Sequence, residues 1–291
     1  MNRDEAKRFL LGIKKMIDQT DAERKKGIAF AGSVQSVTVD GEKHRFRFYQ
    51  AGEGPRPLYI DIYGGGMCWG TMEDVDPLAR MMNEQLGAHV VSPDYPLVPQ
   101  TEYPALPEYV YATIRELVRQ AAQFGIDPDR LIVGGRSAGA NIAAVMTIYA
   151  AQRQDFRFVG QILDHPWLDL CGKIGWEGRA GDQSVLSETT MKTLALGYAA
   201  PERQAEMCCT PLNAPPEILK LLPPAIVQTC ELDPMRQEGE AYARLLRDAG
   251  VPVRERCVPG ALHGFSEGYD ALGQAGRQWI IDAVKDLKWT E

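Results

Sequence analysis

The sequence predicts an α/β protein: a mostly parallel central sheet of about eight strands, helices on both faces and a helical cap. Three observations carry this. Short β-rich runs alternate with amphipathic helical patterns from Leu58 to the C-terminal end. The chain has 291 residues, 45% hydrophobic and 24% charged, enough to bury a large core in one unit. Finally, the apolar run Leu131–Gly134 enters Gly135-Arg136-Ser137-Ala138-Gly139 and continues as the apolar helical pattern of Ala140, Ile142, Ala143, Val145 and Ile148. Strand, sharp turn and helix meet there on a serine. We read residues 1–291 as a single domain, with cap elements over about 1–30 and about 171–222.

The elements follow in order. Ala6, Phe9, Leu10, Ile13 and Ile17 share one face of an N-terminal helix, either packed on the body or serving as a lid over a pocket. Val34–Val39 and His44–Tyr49 alternate around Asp40-Gly41, a hairpin signature. Leu58–Tyr63, Ala88–Ser92, Arg130–Gly134, Val159–Leu163, Ala225–Thr229 and Val253–Val258 read as strands. Val75–Leu86, Pro107–Ala122, Ala138–Gln152 and Met235–Asp248 read as helices, and a last helix runs from about Tyr269 to Leu287. The segment from Cys171 to Leu222 breaks the rhythm. It is rich in turn residues, carries a helix near Ser187–Tyr198, and reads as an insertion above the strand ends.

Composition narrows the function. The net charge is −7 and no basic block or basic-aromatic stripe appears, which argues against nucleic acid. No apolar run approaches about 18 residues, so no membrane span is expected. Met1–Thr20 lacks a signal-peptide core, and the six cysteines are scattered without a C-x-x-C pair, so a reducing, cytoplasmic setting is the expectation. The four histidines show no metal-ligand spacing, so neither a metal nor an organic cofactor is expected. A homodimer is left open.

The chemistry gathers on Ser137. A serine hydroxyl needs a base to take its proton, and the base needs an orienting carboxylate. In a parallel sheet such groups belong just after strands, at their C-terminal ends. His44 opens a hairpin strand and His89 begins one, so both sit at the wrong end. His165 follows a strand among packing neighbours. His263 follows the last strand, in Gly260-Ala261-Leu262-His263-Gly264-Phe265, and is the expected base. Asp233 follows the strand ending near Thr229, as orienter or as the cap of the next helix. The order Ser137, Asp233, His263 is that of the α/β-hydrolases. Gly64-Gly65-Gly66 after Leu58–Tyr63 lets backbone amides approach a substrate. A phosphate cradle is the alternative, but no phosphate-binding motif accompanies it.

Taken together, these segments resemble the hormone-sensitive-lipase-like esterases of the α/β-hydrolase fold. Tyr63–Gly70 is similar to the HGGG loop, Asp94–Gln100 to DYRLAPE, Gly135–Gly139 to GDSAG, Glu231–Arg236 to LDPLR, and His263-Gly264-Phe265 to HGF. The resemblance implies Ser137 as nucleophile, His263 as base and Asp233 as orienter. It implies oxyanion donors at the amides of Gly65, Gly66 and Ala138, and a cap formed by the N-terminal helix and the insertion. Four positions depart from it: Tyr63, Arg136, Pro96 and Gln100. Arg136 either borders the pocket and favours an anionic substrate or pairs with a surface carboxylate.

The expected function is serine carboxylesterase, acting on small-molecule esters with short acyl chains, acetyl among them. An amidase or formamidase on the same residues is the runner-up, and a hydrolase-like binding protein without turnover is the rival of another class. Met67 and Trp69, directly after the oxyanion glycines, are the expected pocket residues; the competing view puts Trp69 in the core.

Overall fold

The computed structural model describes residues 1–174 and 186–287. The part of the 171–222 insertion at 175–185 lies outside the described residues.

Helix α1 (Arg3–Lys25) begins at Asn2, whose side chain accepts the Glu5 amide while Glu5 returns a bond to the Asn2 amide. This reciprocal cap satisfies two donors that the first turn would leave open. The hairpin β1 (Ser33–Val39) and β2 (Glu42–Tyr49) follows, turning at Asp40 and Gly41, both with positive φ. Then come β3 (Arg56–Ile62), α2 (Asp76–Leu86), β4 (His89–Pro93), α3 (Ala105–Arg119), α4 (Ala121–Phe124), β5 (Ile126–Arg136), α5 (Ala138–Arg153) and β6 (Gly160–Asp164). After the insertion, which holds α6 (Glu188–Tyr198) and α7 (Pro216–Leu219), the chain completes β7 (Ala225–Cys230), α8 (Arg236–Asp248), β8 (Val253–Val258) and α9 (Ala271–Lys285).

The strands form one sheet in the order β1-β2-β4-β3-β5-β6-β7-β8. The two pairings of β2 are antiparallel and the rest are parallel. The central strands are covered on both sides: β4, β6 and β7 contain no exposed residue. Helix α5 is buried over Ala138–Ala150, because it crosses the middle of the sheet beneath α3 and α7. On the other face α2 packs with α9.

Two differences from expectation stand out. β5 begins at Ile126 rather than at Arg130, because Ile126 pairs with Arg56 across an irregularity in register. Only Ala6 and Leu10 of the N-terminal apolar face are buried, and Phe9 is 49% exposed. Leu10 settles onto α6 at Gly197, where an added Cβ would lie 2.4 Å from a Leu10 methyl. Helix α1 is therefore clamped to α6, and its ends are tied by Lys7–Glu102 (3.2 Å) and Lys25–Asp74 (2.7 Å).

Candidate active site

Ser137 stands between β5 and α5 with φ 55° and ψ −125°, a region that costs a non-glycine residue about 1–3 kcal/mol. The flanking glycines are needed because the turn is pressed against β3. A Cβ on Gly139 would sit 2.1 Å from the Ile62 carbonyl oxygen and 2.3 Å from that of Tyr63. One on Gly135 would meet the Gly139 carbonyl at 2.5 Å and the Ile62 oxygen at 2.6 Å. The Ser137 amide donates to the Asp164 carbonyl (3.0 Å), which holds the turn to the end of β6.

His263 Nε2 lies 2.9 Å from Ser137 Oγ, and His263 Nδ1 lies 2.7 Å from Asp233 Oδ2. Asp233 is buried, and its other oxygen accepts the Met235 amide at 2.8 Å. Burial alone would raise its pKa, but His263 and that amide outweigh it and hold the carboxyl below its ordinary value. An ionised Asp233 accepts from Nδ1–H, which leaves Nε2 free to accept the serine proton. Of the sequence alternatives for Asp233, it meets the imidazole; it is not the cap of α8, which starts at Arg236 after Met235 without a side-chain cap, and its second oxygen instead closes the turn at Met235.

The glycine loop follows β3. Gly65 (φ 101°) and Gly66 (φ 59°) adopt backbone that side chains rarely take. An added Cβ on Gly65 would meet the Trp69 carbonyl at 2.2 Å, and one on Gly66 would meet Leu194 at 2.8 Å. Among the described residues, the amides of Gly65, Gly66 and Ala138 make no hydrogen bond within the protein. All three belong to segments that converge on Ser137, since Gly64 comes within 3.2 Å of the Ser137 Cβ for an added methyl. The loop is fixed from behind. Tyr63 and Tyr95 stack at 4.2 Å, and each hydroxyl donates to the other's carbonyl, at 3.3 Å from Tyr63 and 2.8 Å from Tyr95. Thus Tyr63, one of the departures, is a brace between the glycine loop and the Asp94–Gln100 stretch.

Above Ser137 lies a cavity of about 490 Å³. Trp69, Trp167, Leu194 and Met235 give it apolar walls, Ser137 and His263 lie in its lining, and Ile17, Asp21 and Arg24 of α1 close one side. Trp69 therefore borders the cavity, whereas Met67 is fully buried in the core and does not line it. Of the expected apolar face of α1, Ile17 lines the cavity, joined by Asp21 and Arg24, whereas Phe9 and Ile13 do not.

Arg136 corrects both sequence alternatives. It is buried and lies outside the cavity lining, and its guanidinium pairs with the equally buried Asp61 of β3 at 3.1 Å. Burial opposes its charge, but Asp61 more than compensates and keeps the guanidinium pKa above its usual value. Burial lifts the Asp61 carboxyl to about 6 against the pull of Arg136.

The rival histidines also have places. His44 stacks on Tyr109 at 3.7 Å and bonds Thr113, and His89 accepts the Ala51 amide. His165 is buried at φ 37°, with Nδ1 3.1 Å from Asp164 and its ring 4.7 Å from that of His263, edge to face. It is a neighbour of the dyad without touching Ser137.

Several supporting residues escaped the sequence reading. Asp164 accepts from Ser266 Oγ (2.5 Å) and Gln228 Nε2 (2.7 Å), which pins the loop carrying His263 to β6. Burial would raise its pKa, yet the His165 charge and these donors lower it to about 2. Glu238 accepts the amides of Leu168 and Asp169 (2.7 and 2.8 Å) and so sets the loop bearing Trp167. Glu267 reaches the cavity wall four residues after His263. The position of Asp164 after a strand was the one available sign; the other two acidic residues have no local signature. Among the described residues, no cluster of His, Cys, Asp and Glu could hold a metal ion, and no helix is long and apolar enough to cross a membrane. All six cysteines are free.

Comparison with known proteins agrees with this fold. Residues 59–267 match the family described as alpha/beta hydrolase fold. Carboxylesterase NlhH of Mycobacterium tuberculosis is 33% identical over 211 residues, which span 72% of this chain and 66% of that protein, just under two thirds of its length. An ethyl acetate hydrolase of Pseudomonas putida is 30% identical over 257 residues, covering 86% of this chain and 80% of the relative. Among solved structures, a hyperthermophilic esterase from the archaeon Pyrobaculum calidifontis superposes with a TM-score of 0.86 at 28% identity, over 96% of this chain and 92% of that one. EstE1, a thermostable carboxylesterase from a metagenomic library, gives 0.85 at 27% identity over 97% of each. With the elbow, the glycine loop and the sheet order in place, the chain belongs to the alpha/beta-hydrolase fold family, in its hormone-sensitive-lipase-like branch.

Proposed function

We propose that the protein is a serine carboxylesterase for small esters with short acyl groups. The observation that carries this is the line Ser137 Oγ, His263, Asp233, joined at 2.9 and 2.7 Å at the base of an apolar cavity. In this reading Ser137 Oγ attacks the ester carbonyl as its proton passes to His263 Nε2. The amides of Gly65, Gly66 and Ala138 hold the oxyanion, and the positive end of α5 favours the same charge. His263 then gives the proton to the leaving alkoxide, and the acyl group stays on Ser137. Water enters, loses a proton to His263 and attacks the acyl carbon; the bond to Ser137 Oγ then breaks as His263 returns the proton to that oxygen, which releases the acid and restores Ser137. These steps need neither metal nor organic cofactor. Short acyl groups, of about two to four carbons, suit a cavity narrowed by Trp69 and Trp167, where one methylene decides about 1–3 kcal/mol. The name of the Pseudomonas putida relative is in keeping with this.

The test is a panel of p-nitrophenyl esters of rising chain length with one anilide, alongside labelling by a fluorophosphonate probe. The reading expects labelling that Ser137→Ala abolishes, ester turnover falling by about 10⁴–10⁶ in that variant, and slower anilide turnover. An unlabelled wild-type protein that turns over no ester would leave only the binding-protein reading; preference for the anilide would make it an amidase.

A further inference from the structure

Arg136 precedes the nucleophile turn, is buried and does not line the cavity, so its side chain meets no substrate. What it meets is the frame of the glycine loop. Nη2 donates to the two oxygens of Asp61, at 3.3 and 3.1 Å, and Nη1 donates to the Asp74 carbonyl at 3.3 Å. Asp61 is the last residue but one of β3, directly before the loop, and Asp74 stands just ahead of α2, directly after it. One planar fork therefore holds both ends of residues 62–74, the stretch that contains Gly64, Gly65 and Gly66.

The stem of Arg136 supports the same loop. An added Cβ on Gly64 would lie 3.0 Å from the Arg136 carbonyl oxygen, 3.2 Å from the Ser137 Cβ and 3.6 Å from the Arg136 Cγ. The first glycine thus rests on Arg136 as well as on Ser137. Inside the loop, the Gly65 carbonyl accepts the amides of Cys68 and Trp69, at 2.9 and 3.0 Å. The far limb leans on the near one, since a Cβ on Gly70 would lie 2.9 Å from the Gly64 carbonyl oxygen, and the Asp74 carboxylate accepts the Thr71 amide at 2.8 Å. A loop braced inside and fastened at its ends is placed as one body by whatever holds those ends.

We infer that Arg136 is a positioning residue of the oxyanion hole: its guanidinium fork sets the amides of Gly65 and Gly66 against Ser137. This rests on the proposed reading of Ser137 as nucleophile and of those amides as oxyanion donors. A guanidinium reaches a carboxylate and a carbonyl at once in fixed geometry, whereas an ammonium is a flexible point charge. The oxyanion forms only on the way to the transition state, so a misplaced hole lowers kcat and leaves KM nearly unchanged.

Two variants test this. Arg136→Lys keeps the charge opposite Asp61 and loses the fork, so its loss of rate reports geometry rather than charge. The double variant Asp61→Asn, Arg136→Met removes both charges together, so neither is stranded, and keeps an acceptor for the Tyr59 hydroxyl that bonds Asp61. Each is assayed with p-nitrophenyl acetate, active sites being counted by fluorophosphonate labelling taken to completion. Each is also inhibited with 1,1,1-trifluoroacetone. Ser137 Oγ adds to its carbonyl carbon, the serine proton passes to His263, and the carbonyl oxygen becomes an oxyanion in the hole. The expected kcat per labelled site is about ten- to a hundredfold below wild type in both variants, the scale of a displaced or weakened oxyanion donor. KM stays within about twofold, and the inhibition constant of trifluoroacetone rises by a factor matching the fall in kcat. Should one variant fail to fold, the other decides. Wild-type kcat per labelled site in either variant, even with a lowered Tm, overturns the inference. So does a fall in kcat without weaker trifluoroacetone inhibition, or a raised KM with kcat unchanged; the esterase reading survives each of these. A wild-type protein that neither labels nor turns over any ester overturns the esterase reading first, and this inference with it.

Discussion

Gly139→Ala separates two opposed expectations for the nucleophile turn. Gly139 lies in the first turn of α5, with ordinary helical neighbours on both sides. Helix propensity alone favours alanine there by about 1 kcal/mol. Packing says the reverse. The new methyl would stand 2.1 Å from the Ile62 oxygen, 2.3 Å from the Tyr63 oxygen and 2.8 Å from the Ile62 carbonyl carbon. All three are backbone atoms of β3 and of the residue that opens the glycine loop, so no side-chain rotation gives relief. Ordinary contact begins near 3.4 Å, and moving from 2.1 to 3.4 Å requires a relative shift of about 1.3 Å. Overpacking on this scale costs about 1–3 kcal/mol of stability. The shift also separates the α5 N-terminus from the glycine loop, the two segments proposed to share the oxyanion. A displacement near 1 Å, or the loss of one oxyanion donor, costs about 10²–10³ in kcat. The assay is kcat for p-nitrophenyl acetate together with thermal unfolding. A Tm below wild type and a kcat at least about a hundredfold lower are expected. A variant with wild-type kcat and a raised Tm would mean that β3 and α5 do not press on each other here, and the account of the elbow would fall.

Three further outcomes follow from the same geometry. Asp233→Asn can keep the Met235 amide bond but no longer imposes the Nδ1–H tautomer on His263, so kcat should fall by about 10²–10⁴ with little loss of Tm; full activity would reduce Asp233 to a turn residue. Asp164 has its pKa lowered from 3.8 to about 2, so its stabilisation is present above the unfolded value and is lost as pH falls from about 4 toward 2. That amounts to about 2 kcal/mol. His165, whose pKa is raised by Asp164 against the effect of burial, contributes in the opposite sense: its share is full below the unfolded value near 6.5 and fades as pH rises through the raised one. Chemical denaturation of wild type and Asp164→Asn should therefore converge as pH is lowered; a stability gap constant between about pH 5 and pH 2.5 would contradict this. Trp69→Ala should move the best p-nitrophenyl ester toward longer acyl chains, and an unchanged optimum would remove Trp69 from the acyl side of the cavity.

Residues whose role is set by their own strand or turn were legible in the sequence. Asp40-Gly41 announces the β1–β2 turn through the positive φ that both residues adopt. Asp233 and His263 could be picked because parallel strands deliver their C-terminal ends to one rim, and each follows such an end. What stayed hidden depends on which loop crosses which. Glu238 matters because α8 brings it under the amides of Leu168 and Asp169, some 70 positions earlier. Glu267 reaches the cavity wall only because the loop after β8 folds back over the rim on which Ser137 sits. Periodicity misjudged α1 for a related reason. A face shared by Phe9, Leu10 and Ile17 was expected to point one way, but α1 crosses α6 at Gly197 and leaves Phe9 in solvent while Ile17 reaches the cavity.

Arg136 shows how a change beside the nucleophile is accommodated. A cation buried directly before Ser137 would be untenable alone, and Asp61, on the neighbouring strand β3, supplies the counter-charge at 3.1 Å. Such a pair gains little net stability over apolar residues of the same volume, because both ions lose their water. Its consequence lies in connection. The same guanidinium donates to the Asp74 carbonyl at 3.3 Å, and the Asp74 carboxylate takes Lys25 of α1 at 2.7 Å. A continuous line of polar contacts therefore runs from beneath Ser137, through the segment after the glycine loop, to the helix that closes one side of the cavity. Removing either partner of the buried pair strands the other charge, at a cost of about 3–5 kcal/mol. The departure at Arg136 is thus compensated within β3, and the pair joins the position of the proposed nucleophile to that of helix α1.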